Sequence, residues 1–524
     1  MKGAKYMNNK KIRWFSVSLM VMMVFVLIAG CGGTNNKSNN TGNEAANGNK
    51  AANDTGEVLK LRYVIPGTAQ PHQDEVVKLV NDKMKADGVN VELELNFIPW
   101  DAWDQKTNLM LSTGEEFGML HVMENGAVPT AAYVGRGALQ PLDELIDKYG
   151  PVLKELIPDY AWEGAKVNGK IYSVPAQWRL ETASSGELGT IGIRKDLLEK
   201  AGVQLPKTAD EFITAAEKMQ AAAGKKLYIQ TETDVTPVFL HRTYDSWPFF
   251  VDYREQIAKV DQDGNVSSWL ESEEFKQDAK YFQQLYKKGL INPDILTFKT
   301  EERNKAMELG DFTFTTNAAL YAAVGVQKNN PTAVIDDGYL APEKPLLQFL
   351  AFGNTNAVPV TAKHPEAAIK FLNWLYTSKE NHNLFLYGAE GTHYTPVGDR
   401  KADFVKDKDD QSYYFPSWMI GNVKYMLFDS KIPDAYLKVQ TEAPSIPVEF
   451  SPVLGFHLNI EPISVEYANV LSEIKSKIIP IKMGVLDYDQ AFPAALASLK
   501  AAGLDKVVAE YDKQFKEFLA AKKK

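Results

Sequence analysis

Hydrophobic and polar positions along the chain switch repeatedly between two periods. VLKLRYVI (58–65) is apolar at alternate positions, the mark of a strand, and ends in Pro66 and Gly67. Val76, Val77, Val80 and Met84 then recur at helical spacing, with Gly88 as a stop. VNVELELNFI (89–98) alternates again, Pro99 breaks it, and residues 101–112 read as a helix closed by Gly114. The order β, α, β, α predicts a mostly parallel sheet covered by helices, in which ligands sit at the carboxyl ends of the strands. VNGKIYSVP (167–175) predicts a Gly-turned hairpin leading into a strand, and IGIRKDLLEKAGV (191–203) a strand followed by a short helix. In EEFKQDAKYFQQLYKKGLI (273–291), Phe275, Ala279, Phe282, Leu285 and Tyr286 share one helical face, which Gly289 ends. Trp374 falls at helical spacing from Ile369 and Phe371 and is assigned to the core. From Ser464 to the end, the pattern predicts two amphipathic helices joined around residues 484–490.

The amino terminus carries a different pattern. Lys2, Lys5, Lys10, Lys11 and Arg13 precede WFSVSLMVMMVFVLIAG (14–30), which has the build of a secretory signal. At about 17 residues the run falls short of the roughly 20 that span a bilayer. Ile28, Ala29, Gly30 and Cys31 resemble the lipobox of bacterial lipoproteins. That resemblance implies a signal peptide over 1–30 and a lipid on the Cys31 thiol, palmitate among its acyl chains, with an uncleaved anchor as the alternative. Cys31 is the only cysteine, so neither a disulfide framework nor a Cys-based metal site is available. Residues 31–56 are polar and rich in Asn and Gly, the composition of a flexible tether.

What remains, about 465 residues, exceeds the 250–300 that one core serves, so two lobes are expected. The net charge of −9 comes with no basic stripe interleaved with aromatics, which argues against nucleic acid as a partner. GAKVNGK (164–170) fits part of a phosphate loop, but Ile171 stands where a hydroxyl is required. Asp261, Asp263 and Asn265 have the first spacing of a calcium loop, yet Gly264 takes the fourth place and not the sixth; a DG hairpin turn is the reading. No HExxH and no GxSxG occur. The sequence calls for no cofactor and no metal. A pair of carboxylates converging in space, as in a glycosidase, stays open.

A sugar offers an apolar C–H face that packs on an aromatic ring and a rim of hydroxyls that need partners once dehydrated. Four stretches pair these chemistries: Gln177, Trp178 and Arg179; Arg242, Tyr244, Asp245 and Trp247; Glu390, His393 and Tyr394; Trp418, Gly421 and Asn422. Each lies in or beside an expected loop, although any single tryptophan serves packing equally well. Trp100 and Trp103 are three apart at a helix start, and core burial is the favoured reading. Asn125 and Asn317 follow expected strand ends, where they either reach hydroxyls or cap turns.

Together these pieces resemble the family 1 extracellular solute-binding proteins of ABC importers, in particular the lipoprotein group of Gram-positive bacteria with an extended carboxyl-terminal region. FIPWDAWDQKTNLMLSTGEEF, GALQPLDELIDKY, NGKIYSVP, GIRKDLLEKAGV, AVPVTAKHPEAAIKFLNWLYTSKEN, YGAEGTHY, FSPVLGFHLNIEPISVE and AGLDKVVAEYDKQFKEFLA carry the resemblance in order along the mature chain. Gly118 departs from it, standing where such proteins often have Asp. The resemblance implies an α/β, two-lobed, periplasmic-binding-protein-like (type II) fold with crossing strands as a hinge and the ligand cleft between lobes. It implies one lobe at 57–180 and 346–395 and the other at 181–345 and 396–524. It further implies a non-enzymatic monomer that binds a carbohydrate, with Trp178, Arg179, Tyr244, Asp245, Trp247, Asn125, Asn317, Glu390, His393, Trp418 and Asn422 as its candidate contacts. Such a protein sits on the outer face of the cell membrane through its lipid and works with membrane permease subunits. A surface glycoside hydrolase and a peptide-binding lipoprotein of the same fold are the alternatives.

Overall fold

The computed structural model describes residues 57–522, apart from 125–127, 177, 179–188, 234–236, 246–248, 251–255, 262, 349–351, 408–409, 412 and 443–445. Nine strands build two principal sheets. In chain order they are β1 (Leu59–Pro66), β2 (Val91–Ile98), β3 (Met119–Met123), β4 (Ser173–Ala176), β5 (Thr190–Arg194), β6 (Tyr228–Gln230), β7 (Phe312–Thr315), β8 (Ile335–Tyr339) and β9 (Asn354–Ala357).

The first sheet runs β2-β1-β3-β9-β4. β1 lies parallel to β2, in register from Leu59 opposite Val91 to Pro66 opposite Ile98, and parallel to β3 on its other side. The alternation in β1 serves two cores. Leu61, Tyr63 and Ile65 face the helices Gln73–Ala86 and Pro365–Thr377, while Val64 joins Ile98, Trp103 and Leu120 on the opposite face. Gly118 has a packing reason, since a Cβ there would stand 2.6 Å from Leu61 Cδ1. The expected mostly parallel sheet takes in one foreign strand: β9 pairs antiparallel with both β3 and β4.

The second sheet runs β8-β5-β7-β6, with β5 antiparallel to both neighbours and β7 parallel to β6. Ile191, Ile193, Ile229 and Phe314 pack under the helices Ala209–Ala223 and Glu273–Lys287. The second of these helices is shared. Phe282 and Leu285 belong to the sheet's core, whereas Phe275 and Ala279 pack on Leu499, Val507 and Tyr511 of the carboxyl-terminal helices. Gly484 makes the close approach, because a Cβ there would fall 2.4 Å from Gln283 Cα. The two helices expected after Ser464 are further divided. Ser464–Glu473 continues through Ile474–Ile478 into Ile479–Lys482, and Gly503, at φ 107°, separates Tyr488–Ala502 from Leu504–Lys522. The DG turn is present, with the Asp261 carboxylate accepting the N–H groups of Asp263 and Asn265.

After residue 395 the chain returns to the first core. Ala402, Phe404, Tyr413, Phe415, Met419, Ile420 and Leu427 pack with Tyr63, Phe385 and Tyr387 in the first core. Aromatic residues scattered through 402–427 have no period that would assign them to either core, so no local pattern marks this return.

The chain crosses from β8 to β9 through residues 340–353, and on the way Leu346–Gln348 pairs parallel with Val448–Phe450. Arg242, fully buried, grips this crossing. Its guanidinium donates to the carbonyls of Leu340, Ala341, Lys344 and Pro345. Replacing it strands several buried acceptors at once. Arg242→Met is expected to lower the unfolding free energy by about 3 kcal/mol, read from the urea midpoint at unchanged slope.

Candidate functional site

A cavity of about 680 Å³ opens where the carboxyl ends of β6 and β7 face the 404–440 stretch. One wall is polar and comes from the second sheet and the elements beside it: Gln230 and Glu232 after β6, Thr316, Asn317 and Ala318 after β7, Tyr321, and Arg303 from the helix Thr300–Leu309. The facing wall is aromatic and aliphatic. It consists of Phe404, Tyr414, Trp418, Met426, Phe428, Ile432 and Tyr436, with Ser417, Asp429 and Gln440 among them.

Local backbone requirements set the polar wall. The turn carrying Asn317 is drawn onto the sheet by Asp337 of β8, whose carboxylate accepts from Ala319 N at 2.7 Å and Leu320 N at 3.3 Å. The Thr315 hydroxyl donates to the Asn317 carbonyl and accepts the Gly192 N–H. Only glycine fits at 192, where a Cβ would lie 2.2 Å from the Ala319 Cβ. Burial pushes the Asp337 carboxyl up to about 7, against the lowering effect of the two N–H donors. Arg303 and Glu232 form an ion pair across the wall. The Arg303 Nε is buried without an acceptor among the described residues, and desolvation holds its guanidinium below the ordinary arginine value.

Trp418 anchors the other wall. It stacks on Trp100, with centroids 5.9 Å apart and planes at 28°, and meets the edge of His121 at 5.4 Å. His121, on β3, is fully buried, and desolvation brings its imidazole down to about 4, so it is neutral at physiological pH. Trp103 is buried at 4 % exposure, as expected of the pair, but Trp100 is 52 % exposed. Core burial was the wrong expectation for Trp100. Pro99 ends β2, and the turn Trp100–Ala102 precedes the helix, which starts at Trp103, so the two indoles fall on different sides.

Of the eleven residues expected at the site, Asn317 and Trp418 line the cavity. Asn125, Arg179 and Trp247 lie outside the described residues, as does Cys31. Trp178 is a core residue: it is 4 % exposed, donates through Nε1 to the Leu156 carbonyl and sits edge-on to Tyr376. The Tyr244 hydroxyl donates a hydrogen bond to Asp278, which also meets His241 at 2.7 Å, so its polar end serves a buried network. Asp245 is exposed and is not among the lining residues. Asn422 shapes a turn, donating its N–H to His382 Nε2 and accepting from Lys424 N. Glu390 is exposed and His393 buried, both away from the cavity lining. Sequence reasoning missed Glu232, Arg303, Tyr414, Phe428 and Tyr436. Glu232, two residues past a strand end, carried the one usable signal.

His393 joins His72 and Glu75 in a cluster whose nitrogen and carboxylate atoms lie within 4.8 Å of one another. Its chemistry does not suit a metal. The His393 Nδ1 accepts the Ala389 N–H at 3.1 Å, which places the ring proton on Nε2 and presents a donor, not a lone pair, to the other two side chains.

Residues 69–382 match the family model described as bacterial extracellular solute-binding protein, and residues 452–520 match a domain of unknown function. Residues 383–451, which include the whole aromatic wall, fall between the two matches. The chain is 25 % identical, over 98 % of its length and 100 % of the other's, to a carbohydrate ABC transporter substrate-binding protein of Streptococcus pneumoniae. It is 23 % identical, over 74 % of its length and 77 % of the other's, to a polygalacturonan/rhamnogalacturonan-binding protein of Bacillus subtilis. Among solved structures, an N-glycan transport solute-binding protein of Streptococcus pneumoniae superposes with a TM-score of 0.72 at 19 % identity, covering 88 % of this chain and 100 % of that one.

Asp337 gives the site a testable pH dependence. Its folded value of about 7 lies above the ordinary carboxyl value of 3.8, so between these the folded state holds a proton that the unfolded state has released. Its contribution to stability is therefore present at low pH and lost as pH rises toward 7. Asp337→Asn keeps an acceptor for Ala319 and Leu320 but cannot ionise. The variant is expected to gain on the wild type in denaturation midpoint between pH 4 and pH 8, whereas a constant difference would show that Asp337 does not titrate in this range.

Proposed function

This chain belongs to the bacterial extracellular solute-binding proteins, and from that premise we propose that it captures an oligosaccharide in the cleft and presents it to the permease subunits of an ABC importer. The observation that carries this reading is the pairing of unlike walls. Phe404, Tyr414, Trp418 and Phe428 offer rings to the C–H faces of sugars, while Gln230, Glu232, Arg303 and Asn317 offer donors and acceptors to hydroxyls. A peptide makes poorer use of such a pair, since its own backbone groups call for a row of main-chain partners.

Phe404, Tyr414 and Trp418 of the aromatic wall pack with the first core, while the polar wall stands on the ends of β6 and β7, so a ligand touching both binds best when they are closest. Closure is then a population shift driven by those contacts, and the closed form is the shape an importer reads. We assign lobe one to about 57–176 and 354–442 and lobe two to 189–345 and 452–522, with the crossings between. Cys31 carries the lipid, and residues 31–56 tether a monomeric receptor to the outer face of the membrane; one acyl chain binds only reversibly, so a diacylglycerol on the thiol, with its two chains, suits permanent retention. A hydrolase is a weaker reading. Of the acids lining the cavity, Glu232 is held by Arg303, and Asp429 accepts the Lys431 N–H.

Titration calorimetry against a panel of oligosaccharides tests the proposal. At least one class is expected to bind, without shortened products on prolonged incubation, and scattering profiles are expected to contract on binding. Trp418→Ala is expected to weaken that binding about tenfold or more, or roughly 1.4 kcal/mol, with folding unchanged. Binding of peptides but of no sugar would defeat the carbohydrate assignment.

A further inference from the structure

We infer that the binding site does not end at the enclosed cavity but continues onto Trp100, which forms an outer subsite for an additional sugar ring of a longer chain. The inference rests on the proposed carbohydrate function and adds a position to it. Trp100 is not among the cavity's lining residues, yet it is stacked at 5.9 Å and 28° on Trp418, which is. One side of its indole is thus taken by Trp418, and at 52 % exposure much of the rest is open to solvent.

The backbone holds this ring out. Pro99 closes β2, the edge strand of the first sheet, and Trp103 is packed into the core with Tyr133 and Met110. The Trp103 N–H bonds the Trp100 carbonyl, so the turn between the two indoles is fixed at both ends. An aromatic ring held by its backbone gives up little further freedom when a sugar packs on it, which is the condition for a useful stacking platform. The place is right as well: Trp100 stands just past the carboxyl end of a parallel strand, where ligands of α/β sheets collect. Asp101, exposed beside it, supplies a carboxylate that a hydroxyl can reach. A ligand lying along Trp418 and Trp100 passes from the cavity toward the sheet edge. The occupant is a neighbouring residue of the same oligosaccharide, presenting its C–H face.

The test is chain length. Affinities for a homologous series, from disaccharide to hexasaccharide, of whichever sugar the wild type binds are compared with those of Trp100→Ala and Trp100→Phe. In the wild type affinity is expected to rise with length. In Trp100→Ala the loss is expected to grow along the series, from under twofold for the shortest ligands to fivefold or more for the longest, and Trp100→Phe is expected to recover part of it. An equal loss at every length would make Trp100 a mere prop for Trp418, and no loss at any length would make it a surface residue; either overturns the subsite while leaving the carbohydrate reading intact. A wild type that binds no member of any series overturns both.

Discussion

Asn356 is the residue through which the first sheet and the aromatic wall are joined. It lies on β9, the strand that enters the middle of the first sheet from the other lobe. Its carbonyl oxygen accepts the Tyr63 hydroxyl at 2.6 Å, and its amide donates to the Met419 carbonyl at 3.1 Å. Met419 is the neighbour of Trp418. One buried amide thus fixes the sheet on one side and the short helix Ser417–Ile420, with its cavity-facing indole, on the other. An amide with both ends engaged is stabilising, whereas an apolar replacement would strand two buried groups at a cost of about 1–3 kcal/mol each. His121 opposite Asn356 on β3 completes the support by presenting an uncharged ring to Trp418.

Behind the two walls stand two ways of fixing a surface. The polar wall is built on strand ends and is set by backbone contacts: Asp337 and Thr315 hold the Asn317 turn, and Gly192 makes room for it. The aromatic wall is built on short elements between residues 394 and 441 and is set by packing, with Phe404 in the first core and Met426, Phe428 and Ile432 in a smaller cluster that also takes in Val324 from the second lobe. The second kind of surface changes shape whenever a side chain changes size. Since the segment that forms it falls between the matched family regions, family membership by itself says little about which ligand fits.

How much of this was written in the sequence depends on the range of the interactions involved. Periodicity located β1, β2 and the helices Gln73–Ala86 and Glu273–Lys287 within a few residues, because one face of each is buried and the pattern is local. The DG turn was legible for the same reason. The site was legible only in part. Trp418 and Asn317 were found by the company they keep in the sequence, but Trp178 keeps similar company and is a core residue, because what decides is whether Leu156 and Tyr376 come to meet it from distant positions. Tyr244 was lost to Asp278, 34 residues away, by the same mechanism. Arg303 belongs to a helix that is polar nearly all round, so nothing local marks the side that faces the cleft.

The arrangement also decides what affinity can mean for this protein. A ligand held by one wall alone gains contacts equally in open and closed forms and shifts nothing between them, however tightly it binds. Trp418 packs against the first core and Arg303 comes from the helix Thr300–Leu309 across the cavity, so contacts made jointly with both depend on the walls being together. Part of the binding free energy is then spent on closing, and the Arg242 clamp bears on how much. Its four donations tie residues 340–345 to the end of the helix Val238–His241. A segment tied in this way samples fewer arrangements, which lowers the entropy lost when the walls close on a ligand. Under the proposed function, selectivity for a ligand falls to the aromatic wall and ease of closure to Arg242 and the residues it holds.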